Sequence, residues 1–175
     1  MPELIISVAE IVGRPGESRE MHLSAVLEGV GTALASLDRS PVEASLRADS
    51  VVEGVLVTGS VEGHMTLECA RCLTSFAASV SVQVCDLFTD PDSEDVAEEI
   101  AYPIRDRAID LEPMLRDALT LTLPLKPLCT EACKGLCAHC GRDLNAGLCT
   151  CGEDAPDPRW AALGGLRNRL EESSA

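Results

Sequence analysis

Aromatic side chains are nearly absent from this chain, with two Phe, one Tyr and one Trp among 175 residues. A core must therefore come from Val, Leu, Ile and Ala, and the length suffices to bury one in a single domain, or in one domain with a small appendage. Histidine is as scarce, at three residues. No Ser-His-Asp pattern, phosphate-cradling glycine loop or pair of carboxylates in an apolar setting stands out, so the common hydrolase and transferase chemistries find no residues to use. Basic residues are outnumbered 14 to 29, which sets a formal charge of −15. Such a chain repels a phosphate backbone over long range; it disfavours non-specific nucleic-acid binding and suits a basic protein partner. No apolar run is long enough to span a membrane. The opening MPELIISVAEIV lacks a basic region, and Glu3 and Glu10 interrupt its apolar run, so it does not read as a signal peptide. A cytoplasmic protein is expected, in a compartment where thiols stay reduced.

Against these absences stand nine cysteines. Six of them fall in CTEACKGLCAHCGRDLNAGLCTC, residues 129–151, and two more in CARC, residues 69–72. Charge is uneven as well. From Asp86 to Glu112 ten acids face only Arg105 and Arg107, whereas from Lys126 onward six basic and seven acidic residues nearly balance.

Strand patterns dominate the first half. LIISVA and EMHLSAV are short apolar candidates separated by the turn-forming GRPGES. Pro41 to Cys69 reads as two or three strands with Gly54, Gly59 and Gly63 as bulges or turns. Past CARC the alternation is clean: Val80, Val82 and Val84 face one way and Ser79, Ser81 and Gln83 the other, the mark of a half-buried antiparallel strand. CARC is therefore expected in the turn of a hairpin between HMTLE and a strand beginning near Phe76. A polar, like-charged acidic loop follows at about 86–100. A helix is expected over about 111–121, with Leu111, Met114, Leu115, Ala118 and Leu119 at helical spacing, Asp110 as N-cap and Pro113 tolerated in the first turn. LPLKPL leads, extended by its prolines, into the cysteines. A short terminal helix is expected in DPRWAALGGLRNRL, capped by Asp157, opened by Pro158 and apolar along Trp160, Leu163, Leu166 and Leu170, though weakened by Gly164 and Gly165. The fold class is α+β: a predominantly antiparallel sheet, open or barrel-like, with one packed helix over residues 1–128, a zinc-ribbon-like module over 129–152, and a tail over 153–175.

Structural zinc takes four thiolate or imidazole ligands in a tetrahedron, commonly from two C-x2-C knuckles. CAHCG is one such knuckle, with Gly141 permitting the tight turn after Cys140. Cys149 and Cys151 can return to it through Asn145 and Gly147, so Cys137, Cys140, Cys149 and Cys151 are assigned to one zinc. Cys129 and Cys133 lack partners in the tail, and Cys69 and Cys72 lack partners in the sheet; joining these halves gives a second zinc. The swapped pairing, Cys69 and Cys72 with Cys137 and Cys140, is equally compatible with the spacing. The bland rivals are structural disulfides or idle thiols for the tail and a redox dithiol for CARC. Against the dithiol, such sites usually open a helix, whereas CARC lies between strands. All-cysteine shells are closed and do not suit catalytic zinc. Cys85 is expected to pack as a small apolar residue, His139 to be exposed, and His22 and His64 to carry no site. Each zinc with four thiolates has formal charge −2, and Arg71, Lys134 and Arg142 are placed to offset it.

With LECARCL after a strand, an acidic loop, LPLKPLCTEACKGLCAHCGRDLN with a final C-x-C, and a closing DPRWAALGGL, the chain resembles the bacterial YceD family, also called the DUF177 domain, in its actinobacterial form. The resemblance covers nearly the whole chain and is most specific in CARC and the tail. One departure is Ala138, where Pro often follows the first cysteine of the knuckle. The resemblance implies a role in the accumulation of large-subunit (23S) ribosomal RNA, hence in ribosome biogenesis. It also implies genes commonly beside that of a small zinc-bearing ribosomal protein, and no established catalytic activity. If so, acidity favours a basic large-subunit ribosomal protein or a pre-ribosomal particle as partner, engaged through Asp90, Asp92, Glu94, Asp95, Glu98 and Glu99. The competing mode is direct ribosomal RNA contact through Lys126, Lys134, Arg142, Arg159, Arg167 and Arg169.

Overall fold

The computed structural model describes residues 4–91 and 101–151. The helix expected over DPRWAALGGLRNRL and most of the acidic loop lie outside the described residues. The elements in chain order are β1 (Ile5–Ser7), β2 (Ser18–Ala25), β3 (Ala35–Leu37), β4 (Val42–Val51), β5 (Gly54–Glu68), β6 (Ser75–Thr89), β7 (Tyr102–Arg105), β8 (Ala108–Asp110) and α1 (Leu111–Thr122). Among the described residues no helix is long and apolar enough to cross a membrane. Two compact units divide between Cys133 and Lys134. The 128/129 boundary read from the sequence marks the first cysteine of the tail cluster, and Cys129 and Cys133 fall in the first unit.

The first unit is mostly β, a curled, half-barrel sheet with one helix. Its strands run in the order β1-β8-β7-β6-β5-β4-β2, with β3 on β5. All pairs are antiparallel except β6 with β7, which meet in parallel at Phe88 and Tyr102. The two ends of this path approach each other, where Arg19 Nη1 on β2 donates to the Ser7 carbonyl on β1 at 2.9 Å.

Alternation sets the inner face. Val42, Ala44, Leu46 and Ala48 of β4 are buried while Glu43, Ser45 and Arg47 are exposed. Along β6 the inner set is Val80, Val82 and Val84, as the sequence pattern requires, and Ser79, Ser81 and Gln83 face out. The amphipathic α1 closes the inner face with fully buried Leu111, Met114, Leu115 and Leu119. Asp110 caps it, Oδ1 accepting from the Glu112 N–H at 3.0 Å. Each such aliphatic side chain stabilises by about 1.5–3 kcal/mol, so a core with few rings depends on many of them.

Three short elements carry no readable signal. β3, β7 and β8 have three or four residues each, too few to show a period. The β7–β8 turn uses Asp106 and Arg107, both at positive φ (50° and 56°), where a hairpin turn would ordinarily announce itself with glycine. The glycines of β5 also differ from expectation. Pairing to β4 and β6 continues without offset through Gly59, and pairing to β6 does so through Gly63, so neither is a bulge; Gly54 does lie at the β4–β5 turn. Gly59 has φ +149°, and a Cβ there would meet the Ser45 carbonyl oxygen at 2.1 Å. It is a close-approach position.

Tyr102 stacks on Phe88 with ring centroids 5.3 Å apart, and its hydroxyl donates to Asp117 Oδ2 at 2.9 Å. Burial, then the Asp117 hydrogen bond and the charges of Asp117 and Asp86, push the phenol above its usual range.

Three outcomes are expected. Gly59→Ala should lower the unfolding free energy in urea by roughly 2 kcal/mol, since backbone must move to admit the methyl; an unchanged midpoint would contradict this. Tyr102 is the sole tyrosine, so its phenolate absorbance should develop well above the free-tyrosine midpoint of about 10 and shift down in Asp117→Asn. Because the fold retains a proton that the unfolded chain loses, stability should fall as pH rises through about 10.

Candidate metal centre

CARC lies at the tip of the β5–β6 hairpin, between Glu68 and Ser75. The tip is tight: Cys69 N–H donates to Thr74 O at 3.0 Å and Leu73 N–H to Cys69 O at 2.9 Å, with Leu73 in the left-handed region at φ 59°. The chain after α1 returns to this tip through two contacts. The Ala70 N–H donates to Pro127 O at 2.8 Å, and Arg71 Nη1 donates to Cys133 O at 2.7 Å and to Glu131 O at 3.4 Å. Cys129 and Cys133 are thereby set against the tip. Sulfur separations are 3.8 Å for Cys69 to Cys133 and 3.6 Å for Cys72 to Cys129. All four sulfurs lie within 4.8 Å of one another. Cys69, Cys72 and Cys133 are buried and Cys129 is half-buried.

The second unit builds its group from a ribbon. Leu136 bridges Asp143, Cys137 N–H donates to Arg142 O and Gly141 N–H to Cys137 O, each at 2.9 Å. Gly141 takes φ +70° to make that turn. Asn145 Oδ1 accepts from the Lys134 N–H at 2.8 Å, tying the far side of the loop to its start. Cys137, Cys140, Cys149 and Cys151 then also fall within 4.8 Å of one another, with Cys137 and Cys149 sulfurs 3.4 Å apart. Here Cys140 is exposed and Cys149 and Cys151 are half-buried. The sulfurs thus sort into the first grouping read from the spacing, not the swapped one.

These separations exclude disulfides, whose sulfurs sit at about 2.05 Å. They fit a tetrahedral ion. Metal–sulfur bonds of about 2.3 Å place the sulfurs of a tetrahedron about 3.8 Å apart. The electrostatics fit as well. Cys69 is drawn down to about 6, chiefly by the Cys129 backbone N–H at its sulfur and further by those of Cys72 and Arg71, against the opposing effect of burial. Cys129 is pushed up to about 12, first by its hydrogen bond with the Cys72 sulfur and then by burial. The ribbon repeats the pattern: the Cys140 and His139 backbone N–H groups bring Cys137 down to about 6, and the Cys140 sulfur heads the causes that push Cys151 up to about 12. Four sulfurs this close cannot all ionise unaided, and a divalent cation lifts that restriction.

The basic residues expected to offset thiolate charge act differently in part. Arg71 holds the carbonyls of Glu131 and Cys133, and Arg142 Nη1 donates to Leu148 O at 3.4 Å, so both fix the ligand loops by the backbone. Thr74, whose Oγ1 lies 3.3 Å from the Cys72 sulfur, and Pro127 escaped the sequence reading. A carbonyl acceptor carries no residue signature. Cys85 is exposed, contrary to expectation, because β6 alternation assigns it to the outward set with Ser81 and Gln83. His22, His64 and His139 are exposed. Of the acidic partner-binding set, Asp90 is described and exposed; Asp92, Glu94, Asp95, Glu98 and Glu99 lie outside the described residues. Of the RNA-contact set, Lys126, Lys134 and Arg142 are exposed; Arg159, Arg167 and Arg169 lie outside.

Fold and site together define a mostly β protein carrying two closed four-cysteine groups able to hold metal ions. The chain belongs to the YceD family, described as large ribosomal RNA subunit accumulation protein YceD, whose pattern matches residues 57–167. An uncharacterized protein of Mycobacterium tuberculosis is 38% identical over 165 residues, covering 91% of this chain and 79% of the relative. An uncharacterized protein of Mycobacterium leprae is 39% identical over 129 residues, 71% of this chain and 58% of the relative. The large ribosomal RNA subunit accumulation protein YCED homolog 1, chloroplastic, of Arabidopsis thaliana is 27% identical over 164 residues, 77% of this chain and 51% of the relative. No solved structure matches the chain.

Elemental analysis of protein purified without added metal should find two ions per chain. A chelator should remove them in two phases, the ribbon ion first, since Cys140 is exposed where Cys69 is buried. Cys140→Ser should abolish the fast phase and leave the slow one. A single phase, or its reversal, would refute this ordering.

Proposed function

We propose that this protein is a non-enzymatic ribosome biogenesis factor that promotes accumulation of large-subunit ribosomal RNA, stabilised by two zinc ions and acting through a basic ribosomal-protein partner. Membership of a family named for that accumulation carries the biological half of this reading. The chemical half is supported by the two four-sulfur groups. Sulfur-only shells suit soft ions, zinc before iron, and leave no open position for a substrate. Cys69, Cys72, Cys129 and Cys133 would hold one ion and Cys137, Cys140, Cys149 and Cys151 the other. Bound there, zinc supplies cross-linking and no reaction. It joins chain segments far apart in sequence and so restricts the unfolded state.

The net charge of −15 supports a cationic partner over bare RNA. Asp90 and the acids that follow it, Asp92, Glu94, Asp95, Glu98 and Glu99, are the groups proposed to meet it. Such complementarity mainly accelerates encounter and weakens with salt. Direct ribosomal RNA binding through Lys126, Lys134 and Arg142 is the second reading, favoured only by their exposure.

Affinity capture of partners at low and high salt is the test. Recovery of a basic ribosomal protein should fall with salt, and fall again when the five acids from Asp92 to Glu99 are changed to Asn or Gln. Unchanged recovery rejects the acidic segment; RNA crosslinks concentrated on Lys126, Lys134 and Arg142 would favour direct RNA contact.

A further inference from the structure

β6 is fifteen residues long and pairs with β5 from Ser75 to Phe88 on one side. On the other side, among the described residues, it meets β7 only at Phe88 and Thr89. Among the described residues, the edge over residues 75–87 therefore has no strand beside it. Open edges of this length are normally blunted by lysine, proline or a bulge. This one reads SFAASVSVQVCDL, with no lysine or proline and a single charge at Asp86. Nor is it bulged, since its register with β5 is unbroken from Ser75 to Phe88.

The edge borders a groove of about 420 Å³ between β6 and α1, within the roughly 300–1,000 Å³ typical of binding clefts. Its lining is apolar at Val82, Ala118 and Leu121 and acidic at Asp86 and Asp117, with Tyr102 between them. Leu121 is 86% exposed, an aliphatic side chain left in water beside an unpaired edge. No basic residue lines the groove.

We infer that the β6 edge is a strand-addition site for an extended cationic segment of a partner protein, whose side chains on the face toward α1 include both β-branched residues and lysine or arginine. Main-chain hydrogen bonds to β6 would supply affinity, and alternate side chains selectivity. Val82 and Asp86 share the face of β6 toward α1, so the side chains of the added strand on that one face would cover Val82, Ala118 and Leu121 with an apolar residue and approach Asp86 and Asp117 with a cationic one. A second copy of this chain is a poorer occupant: it brings another −15 of charge and no cation on the same edge. The inference rests on the reading above that the partner is basic, and gives that partner a place and a conformation.

The test uses the full-length, metal-loaded protein and a short fluorescein-labelled peptide of valine and lysine, arranged so that each face of the extended chain carries both. Anisotropy should show binding, and hydrogen exchange should show alternate amides of residues 75–87 slowing on peptide addition. A peptide of the same sequence, N-methylated at two adjacent central residues, keeps its charge but cannot pair by either edge. It should bind about tenfold more weakly or worse, as should the original peptide to Leu121→Arg, a substitution at an exposed position that leaves the core intact. Equal binding of the methylated peptide, or binding without slowed β6 amides, would overturn the inference. Protection without peptide of the alternate amides that face away from β5 would overturn it too: concentration-dependent protection would assign the edge to a second copy, and protection at high dilution to the chain itself. The probe contains no ribosomal sequence, so its failure would leave the salt-dependent capture of a ribosomal protein to be judged separately.

Discussion

The first unit depends on one clasp. At the tip of the β5–β6 hairpin, Ala70 and Arg71 take hold of the Pro127 and Cys133 carbonyls, and four sulfurs converge between them. This hairpin contains the two longest strands of the sheet, and α1 packs against β6. Whatever fastens the tip to the segment after α1 therefore fixes both ends of a loop that contains β6, β7, β8 and the helix. The entropy of closing such a loop rises only slowly with its length, so one clasp can restrain more than fifty residues at little more cost than a short one.

That constraint also explains how the cysteines are divided. Cys129 and Cys133 are close in sequence to the tail cysteines, yet they belong with the sheet, because Arg71 binds the backbone on which they stand. The ribbon after Lys134 completes its own four-sulfur group with its own backbone bonds. Each unit thus holds a closed set of ligands. Burial differs between them, deep around Cys69 and shallow around Cys140, so a soft ion would be shielded from water in one and open to it in the other.

Acidity and the sulfur groups address different tasks. The thiols can fasten; the carboxylates repel polyanions and attract cations. Among the described residues nothing in the geometry asks the four-sulfur groups to touch a partner; the partner sites proposed above are the acids from Asp90 to Glu99 and the edge of β6. The family is named for ribosomal RNA accumulation, not for a reaction.

Much was legible in the residues themselves. Period-two burial in β4 and β6, the helix from Leu111 with its Asp110 cap and the hairpin position of CARC all follow from local patterns, because backbone geometry ties each to a fixed spacing. Tertiary structure decided the rest. β7 and β8 exist only because neighbours pair with them, through a turn of Asp106 and Arg107 that no turn rule would choose. Gly59 is required by the nearness of Ser45 on another strand, and Cys85 faces out because of a phase set by the core. The choice of Cys129 and Cys133 as partners for CARC was a matter of economy in the sequence. It becomes a matter of geometry only where carbonyl acceptors, which every residue possesses and no sequence displays, bring distant backbone together.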